Sequence, residues 1–173
     1  MKIMSDDIVH KFDVGGVILN INSKQDAKNA FNTIIQNVKK NKPDVKTKGV
    51  FVRQMIPPGE EVILGLKRDS TFGAIIMFGL GGIFVEIYKD VSFRIAPLDS
   101  KSVNKLITET KASAILSGAR GRPMRDIKSL KDCIMRLSQL AIECPQIREL
   151  DINPLIVLED GKGSFVADAK IML

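Results

Sequence analysis

The sequence predicts an α+β fold, with antiparallel strands covered by helices on one face. Three observations predict it. Apolar, strand-like segments follow one another through the middle of the chain with turn residues between them. Their connections are too short for parallel crossovers and favour antiparallel neighbours. Two longer stretches instead carry apolar residues at the 3.6-residue period of a helix.

The elements follow in order. Residues 2–4 form a short strand, and a loop over 5–13 leads to Gly15-Gly16, a glycine turn feeding a strand over 17–19. A helix is expected over 24–40, with Ala27, Ala30, Phe31, Ile34, Ile35 and Val38 as its apolar stripe. Ser23 and Asp26 make its N-cap pair, and Asn41-Lys42-Pro43 stops it. Strands are expected at 50–56, 61–67, 74–78, 83–88 and 92–96. Pro57-Pro58-Gly59, Asp69-Ser70, Gly79-Leu80-Gly81-Gly82 and Lys89-Asp90 separate them. Helical pattern returns over 102–107 and over 127–141, the latter striped by Ile127, Leu130, Ile134, Leu137, Leu140 and Ala141. Between these helices lies a basic glycine loop, 117–123. Two strands, 147–157 and 164–172, flank a Gly161-Lys162-Gly163 turn and pair with each other.

Composition narrows the function classes. A chain of 173 residues with 45% hydrophobic content builds one domain or two small subdomains with a real core. The net charge of +6 comes mostly from dispersed lysines. With no Trp and one Tyr, this suits phosphate-bearing small ligands and argues against nucleic acid as a partner. Cys133 and Cys144 have no metal-binding spacing and fit a reducing, cytoplasmic compartment. The first residues do not read as a signal peptide. The longest uncharged apolar stretch, 71–85, holds four glycines and is too short to span a bilayer, so no membrane partner is expected.

The chemistry-bearing pattern is Asp151-Ile152-Asn153 in the first of the two final strands. Positions i and i+2 share one face of a strand, so a carboxylate and an amide oxygen project together. The returning strand brings Asp168 near. Three oxygen donors suit a hard cation such as Mg2+, which keeps waters and completes its shell from phosphates. An Asx turn with a solvated Asp168 is the alternative. His10, the chain's single histidine, sits in a loop beside Gly15-Gly16, whose amides could cradle a phosphate. Neutral imidazole is a good phosphoryl acceptor near pH 7, although a lone loop histidine can equally be solvated. Asp13 either orients the ring or caps the turn. Gly79 to Gly82 offers amides to an anion or only a bend. Glu86 would be balanced by Arg94. Arg120 and Arg122 hold a phosphate or a partner's acidic surface, or simply face solvent.

Six ordered motifs then carry a resemblance. They are His10-Lys-Phe-Asp-Val-Gly-Gly16, Phe72-Gly73, Phe78-Gly-Leu-Gly-Gly-Ile-Phe-Val-Glu86, Lys89-Asp-Val-Ser-Phe-Arg-Ile-Ala-Pro-Leu98, Gly118-Ala-Arg-Gly121 and Glu149-Leu-Asp-Ile-Asn-Pro-Leu155, closed by Asp168-Ala-Lys-Ile171. Together they resemble the ATP-grasp β subunit, or β domain, of ADP-forming acetyl-CoA synthetases, relatives of succinyl-CoA synthetase. The resemblance implies an ATP-grasp fold whose first lobe lacks its N-terminal part. Residues 1–48 would be the remnant of that lobe, and 49–173 the second lobe with the nucleotide hinge and metal site. It implies a ligase subunit that works with a CoA-binding α subunit in an α2β2 assembly and passes a phosphoryl group between a phosphohistidine and ADP or ATP. His10 would be the relay histidine. Lys2 would sit on nucleotide phosphates, with Gly15 and Gly16 as a mobile loop over them. Arg53, Gln54, Met55 and Ile56 would receive adenine, although the family's acid near Gln54 is missing. Glu61 would hold the ribose, and Asp151, Asn153 and Asp168 would hold Mg2+. A non-catalytic nucleotide-binding module, or an inactive fragment, is the competing expectation.

Overall fold

The computed structural model describes residues 1–8, 10–81 and 90–173, and only the backbone of Arg120. Gly82, the expected strand over 83–88 and, with Glu86, its expected pairing to Arg94 lie outside the described residues. The chain divides into two compact units, Met1–Met55 and Ile56–Leu173.

The first unit is small. β1 (Lys2–Met4) pairs antiparallel with β2 (Gly49–Phe51), Ile3 opposite Val50. α1 (Lys24–Asn41) starts where expected: the Ser23 hydroxyl accepts the Asp26 N–H at 3.0 Å. Its stripe is narrower than expected. Ala30, Ile34 and Val38 are buried, while Phe31 is 43% exposed. Ile34 and Val38 join Ile3, Ile8 and Val14 in a five-residue core. Two strand expectations are corrected. Past Gly16 only an isolated bridge forms, Val17 to Lys2. β2 ends at Phe51, and residues 52–55 are exposed coil. Since β2 pairs with β1, residues 49–51 belong to the first unit, and the division falls after Met55 rather than after residue 48.

Among the described residues, the second unit holds a six-stranded antiparallel sheet. It contains β3 (Glu60–Asp69), β4 (Gly73–Leu80), β5 (Val91–Ile95), β6 (Glu149–Val157), β7 (Ser164–Val166) and β8 (Ala169–Met172). The order is β5-β4-β3-β6-β7, and β8 also pairs with β6. The final strand expected over 164–172 is thus two strands, broken at Ala167-Asp168. Gly79 and Leu80 continue β4 rather than breaking it. A Cβ on Gly79 would lie 2.7 Å from the Asp90 carbonyl oxygen, so a glycine is needed for the close backbone approach. Alternation places Val62, Leu64 and Leu66 of β3 and Ala74, Ile76 and Phe78 of β4 on one face. There they pack against α2 (Ser100–Thr108), α3 (Ala112–Leu116) and α4 (Ile127–Glu143) through Leu106, Leu116, Leu130, Ile134 and Leu137. A single 3-10 turn, Ala119–Gly121, follows α3.

Polar side chains fasten this layer pair. Arg68 of β3 donates to the carbonyls of Ala141, Cys144 (3.1 Å) and Ile147 (2.8 Å), taking up orphan acceptors at the end of α4. Arg94 pairs with Glu109, whose other oxygen accepts from the Ser92 hydroxyl at 2.9 Å. Asp126 is buried. It caps α4 through the Ser129 N–H at 2.8 Å and holds the turn before β7 through the Gly163 N–H at 2.9 Å. These bonds, the Ser129 amide first, hold its carboxyl below the usual range against the opposing effect of burial. A depressed native pKa stabilises the fold fully above the carboxylate's ordinary pKa, and the stabilisation is lost as pH falls through the native value. Asp126→Ala is therefore expected to cost about 2 kcal/mol at neutral pH. In thermal melts, the gap from wild type should close as pH drops below about 4.

Candidate functional site

Asp151, expected to hold metal, lies on the sheet face opposite the helix-packed core. Leu150 points into the core, so its strand neighbours Glu149 and Asp151 project the other way. Pairing with β3 sets Asp151 opposite Gly65, and pairing with β8 sets Lys170 opposite Asp151. Between Val62 and Leu64 the register slips: these two residues pair with Leu155 and Ile152, leaving Asn153-Pro154 bulged between. A proline cannot donate to the ladder, which places the bulge there. The Asn153 N–H donates to the Asp168 carbonyl at 3.1 Å, and the Ala167 N–H to Pro154 at 3.0 Å. The break between β7 and β8 thus lies directly against the bulge, bringing Asp168 up to Asn153 as expected.

The electrostatics there favour a cation. Asp151 is half-buried, and its carboxyl is pushed above the usual range, first by burial, then by Glu149, and also by Asp168. Lys170 works in the opposite direction. Like charges held together on a partly desolvated face are the environment a hard cation relieves. Among the described residues, no group of three or more His, Cys, Asp or Glu side chains is arranged to hold a metal alone. The set fits an ion that draws further oxygens from water and phosphate. Glu149 and Lys170 were not singled out from the sequence. Glu149 was legible by its i, i+2 spacing from Asp151, whereas Lys170 depends on long-range register.

Glu61 also lies on β3, exposed, with its carbonyl accepting the Gly81 N–H at 2.8 Å. It is four residues from Gly65, about 13 Å along the strand. Its neighbour Glu60 is the acid between the basic side chains, 4.0 Å from both Arg122 and Arg125. Beside Asp151, a Cβ on Gly65 would lie 3.1 Å from the Met77 methyl.

In the first unit, His10 is exposed on the loop between Ile8 and Val14, both buried. Lys2 on β1 lines a shallow hollow of about 350 Å³ together with Lys11, Lys48, Asp6 and Phe51, and Lys48 is 2.5 Å from Asp6. Gly15 and Gly16 do not present free amides. Gly15 N–H donates to Phe12 O at 2.9 Å, and Gly16 N–H to Lys11 O at 2.8 Å. The loop is also tightly seated. Gly15 takes φ +64°, a conformation that suits glycine. A Cβ on Gly16 would lie 2.7 Å from Ile3. In this conformation the amides of the glycine pair close a turn. Arg53, Gln54 and Met55 are exposed, and Ile56 is half-buried.

The whole chain, residues 1–173, matches the model of the ATP-grasp domain family. It is 49% identical over 173 residues to the β subunit of acetate–CoA ligase I (ADP-forming) of Pyrococcus furiosus, covering 74% of that subunit. It also superposes on a solved acetyl-coenzyme A synthetase 1 of Ca. Korarchaeum cryptofilum in complex with coenzyme A and Ca-AMPCP. There the TM-score is 0.93 at 45% identity, covering 99% of this chain and 74% of that one. A second structure of that enzyme carries coenzyme A and Mg-AMPPCP, with its phosphohistidine segment pointing towards the nucleotide binding site. Here the TM-score is 0.85 at 41% identity, covering 100% of this chain and 75% of that one. Among the described residues, no helix is long and apolar enough to cross a membrane.

Proposed function

The chain belongs to the ATP-grasp family, in the branch of ADP-forming acetate–CoA ligase β subunits, and we propose that it carries the nucleotide half of that ligase reaction. The assembled enzyme would work in the cytoplasm as an α2β2 complex, and its partner subunit would bind CoA and release the acid. The reaction at this chain is phosphoryl transfer between His10 and ADP. A β-phosphate oxygen of ADP attacks the phosphorus of a phosphohistidine protonated on its other ring nitrogen, the P–N bond breaks, and its electron pair returns to the ring nitrogen, leaving neutral histidine and ATP. Such transfer is mainly positioning and charge neutralisation.

The chain's own residues supply both. Lys2, lining a basic hollow, would meet phosphate oxygens. Backbone groups of Arg53, Gln54, Met55 and Ile56 would receive adenine, and Glu61 would take the ribose hydroxyls. Asp151, Asn153 and Asp168 would hold Mg2+. When bound, the ion supplies charge neutralisation on the phosphates. Glu149 would add negative charge to the ion's surroundings, and Lys170 would keep Asp151 ionised before the ion arrives. Gly15 and Gly16 would shape the loop that presents His10.

The observation that carries this reading is the crowded, half-buried carboxylate of Asp151, beside Asn153 and Asp168 on a face free of helices. Calorimetric titration of the chain with ADP tests it. Binding is expected to require Mg2+ and to weaken about tenfold or more in Asp168→Ala, as loss of a charge-assisted contact implies. Equal binding with and without Mg2+ would overturn the metal assignment.

A further inference from the structure

His10 is carried on a short arm with two fixed ends. Ile8, two residues before it, and Val14, four residues after it, are 5% and 6% exposed and belong to the same five-residue core. An extended chain spans at most about 3.6 Å per residue, so while Ile8 stays seated the His10 Cα lies within about 7 Å of it. Where the imidazole stands is therefore decided by where the arm is rooted.

The root beyond Val14 is held by side chains that the phosphoryl-transfer reading does not use. The Asn41 amide donates to the Val14 carbonyl at 3.2 Å, and the Asn37 amide to the Gly15 carbonyl at 3.2 Å. Residues 37 and 41 are one turn apart on α1 and share a face, so the helix holds two successive carbonyls at once. The next carbonyl, Gly16 O, accepts the Ile3 N–H of β1 at 2.8 Å. Asn37 also closes on the space a side chain at Gly15 would take: a Cβ there would lie 2.7 Å from its amide nitrogen. Three consecutive carbonyls are thus clamped to regular structure, while the corresponding amides of Gly15 and Gly16 fold the arm back on Phe12 and Lys11. Neither asparagine is needed for the helix. The cap lies at Ser23, and the core contacts are made by Ile34 and Val38.

We propose that Asn37 and Asn41 are positioning residues for His10, clamping the Val14 and Gly15 carbonyls so that the histidine arm is presented from a fixed root. The proposal rests on the phosphoryl-transfer reading above. Mispositioning a reacting group by about 1 Å can cost as much as a hundredfold in rate. The loss should therefore appear in the transfer step and not in nucleotide binding.

The test is single-turnover transfer of labelled phosphate from Mg-ATP to His10 in this chain assembled with its CoA-binding partner subunit. Wild type would be compared with Asn41→Ala, Asn37→Ala, the double variant and Asn41→Gln. The double variant is expected to lose about tenfold or more in maximal rate, with the half-saturating ATP concentration unchanged. Asn41→Ala should show a smaller loss. Asn41→Gln, which keeps an amide donor, should recover most of it. Wild-type rates in both alanine variants, with only a lowered melting temperature, would make the clamps merely structural and overturn the proposal. Absence of label on His10 in wild type would instead overturn the relay reading, and the proposal with it.

Discussion

Replacing His10 with alanine is expected to abolish net ATP formation by the assembled enzyme while leaving Mg-dependent nucleotide binding to this chain intact. The two outcomes separate because the parts are separate. His10 is exposed on its arm in the first unit, whereas the acids expected to hold the metal lie on β6 and near β8 in the second. A relay histidine is a covalent carrier, so its loss removes a step rather than slowing one. Among the described residues the imidazole makes no hydrogen bond that holds the fold, and the arm's seating through Ile8, Val14, Asn37 and Asn41 does not depend on it. Stopped-flow or coupled assays of ATP formation, run beside calorimetry with Mg-ADP, check this. Turnover at the wild-type rate would exclude His10 as the carrier.

Asp151→Asn is expected to have opposite effects on binding and on stability. The carboxylate is half-buried, with Glu149 and Asp168 as like-charged neighbours and Lys170 opposing them. Removing that charge relieves repulsion and desolvation in the metal-free chain, so the melting temperature should rise. The same change removes a charged oxygen ligand from the set, so Mg-dependent nucleotide affinity should fall by about a hundredfold or more. Residues selected for function commonly impose this opposition. Melting curves without metal, paired with titrations in Mg2+, measure both arms. A variant less stable without metal would show that Asp151 is a structural acid, held by contacts that outweigh its crowding.

The long elements were legible in the sequence because each obeys one strong local period. The stripes of α1 and α4 predicted helices that end within two residues of those observed. The strands expected over 61–67 and 74–78 are found as β3 and β4, each slightly longer. The misses share a different cause. α3 spans only Ala112–Leu116 and buries its two end residues, too few to register as a period. Residues 52–55 read as a continuation of the strand but are exposed coil. Arg94 pairs with Glu109, a partner set by long-range packing that local spacing does not show.

The same distinction runs through the candidate site. Asp151 and Asn153 could be placed on one face from spacing alone, because strand alternation is local. That Asp168 meets Asn153 through a backbone bond, and that Lys170 stands opposite Asp151, depends on the β6–β8 register, fixed by residues far apart in sequence. The engagement of the Gly15 and Gly16 amides was not legible for the same reason. Glycine content signals a turn, but not which carbonyls the turn consumes.

The strand order has a consequence for how the protein is made. β3, whose alternate residues form the centre of the core, pairs with β4 as soon as that hairpin is synthesised, but its other edge is covered only by β6. Everything from β4 to α4 leaves the ribosome while that edge stands open. An open ten-residue edge with an apolar centre, residues 62–66, is a template for pairing with other chains. Expression yield should therefore depend on how quickly residues 149–157 follow. Chains stopped before Glu149 should accumulate as aggregates rather than as a stable partial fold.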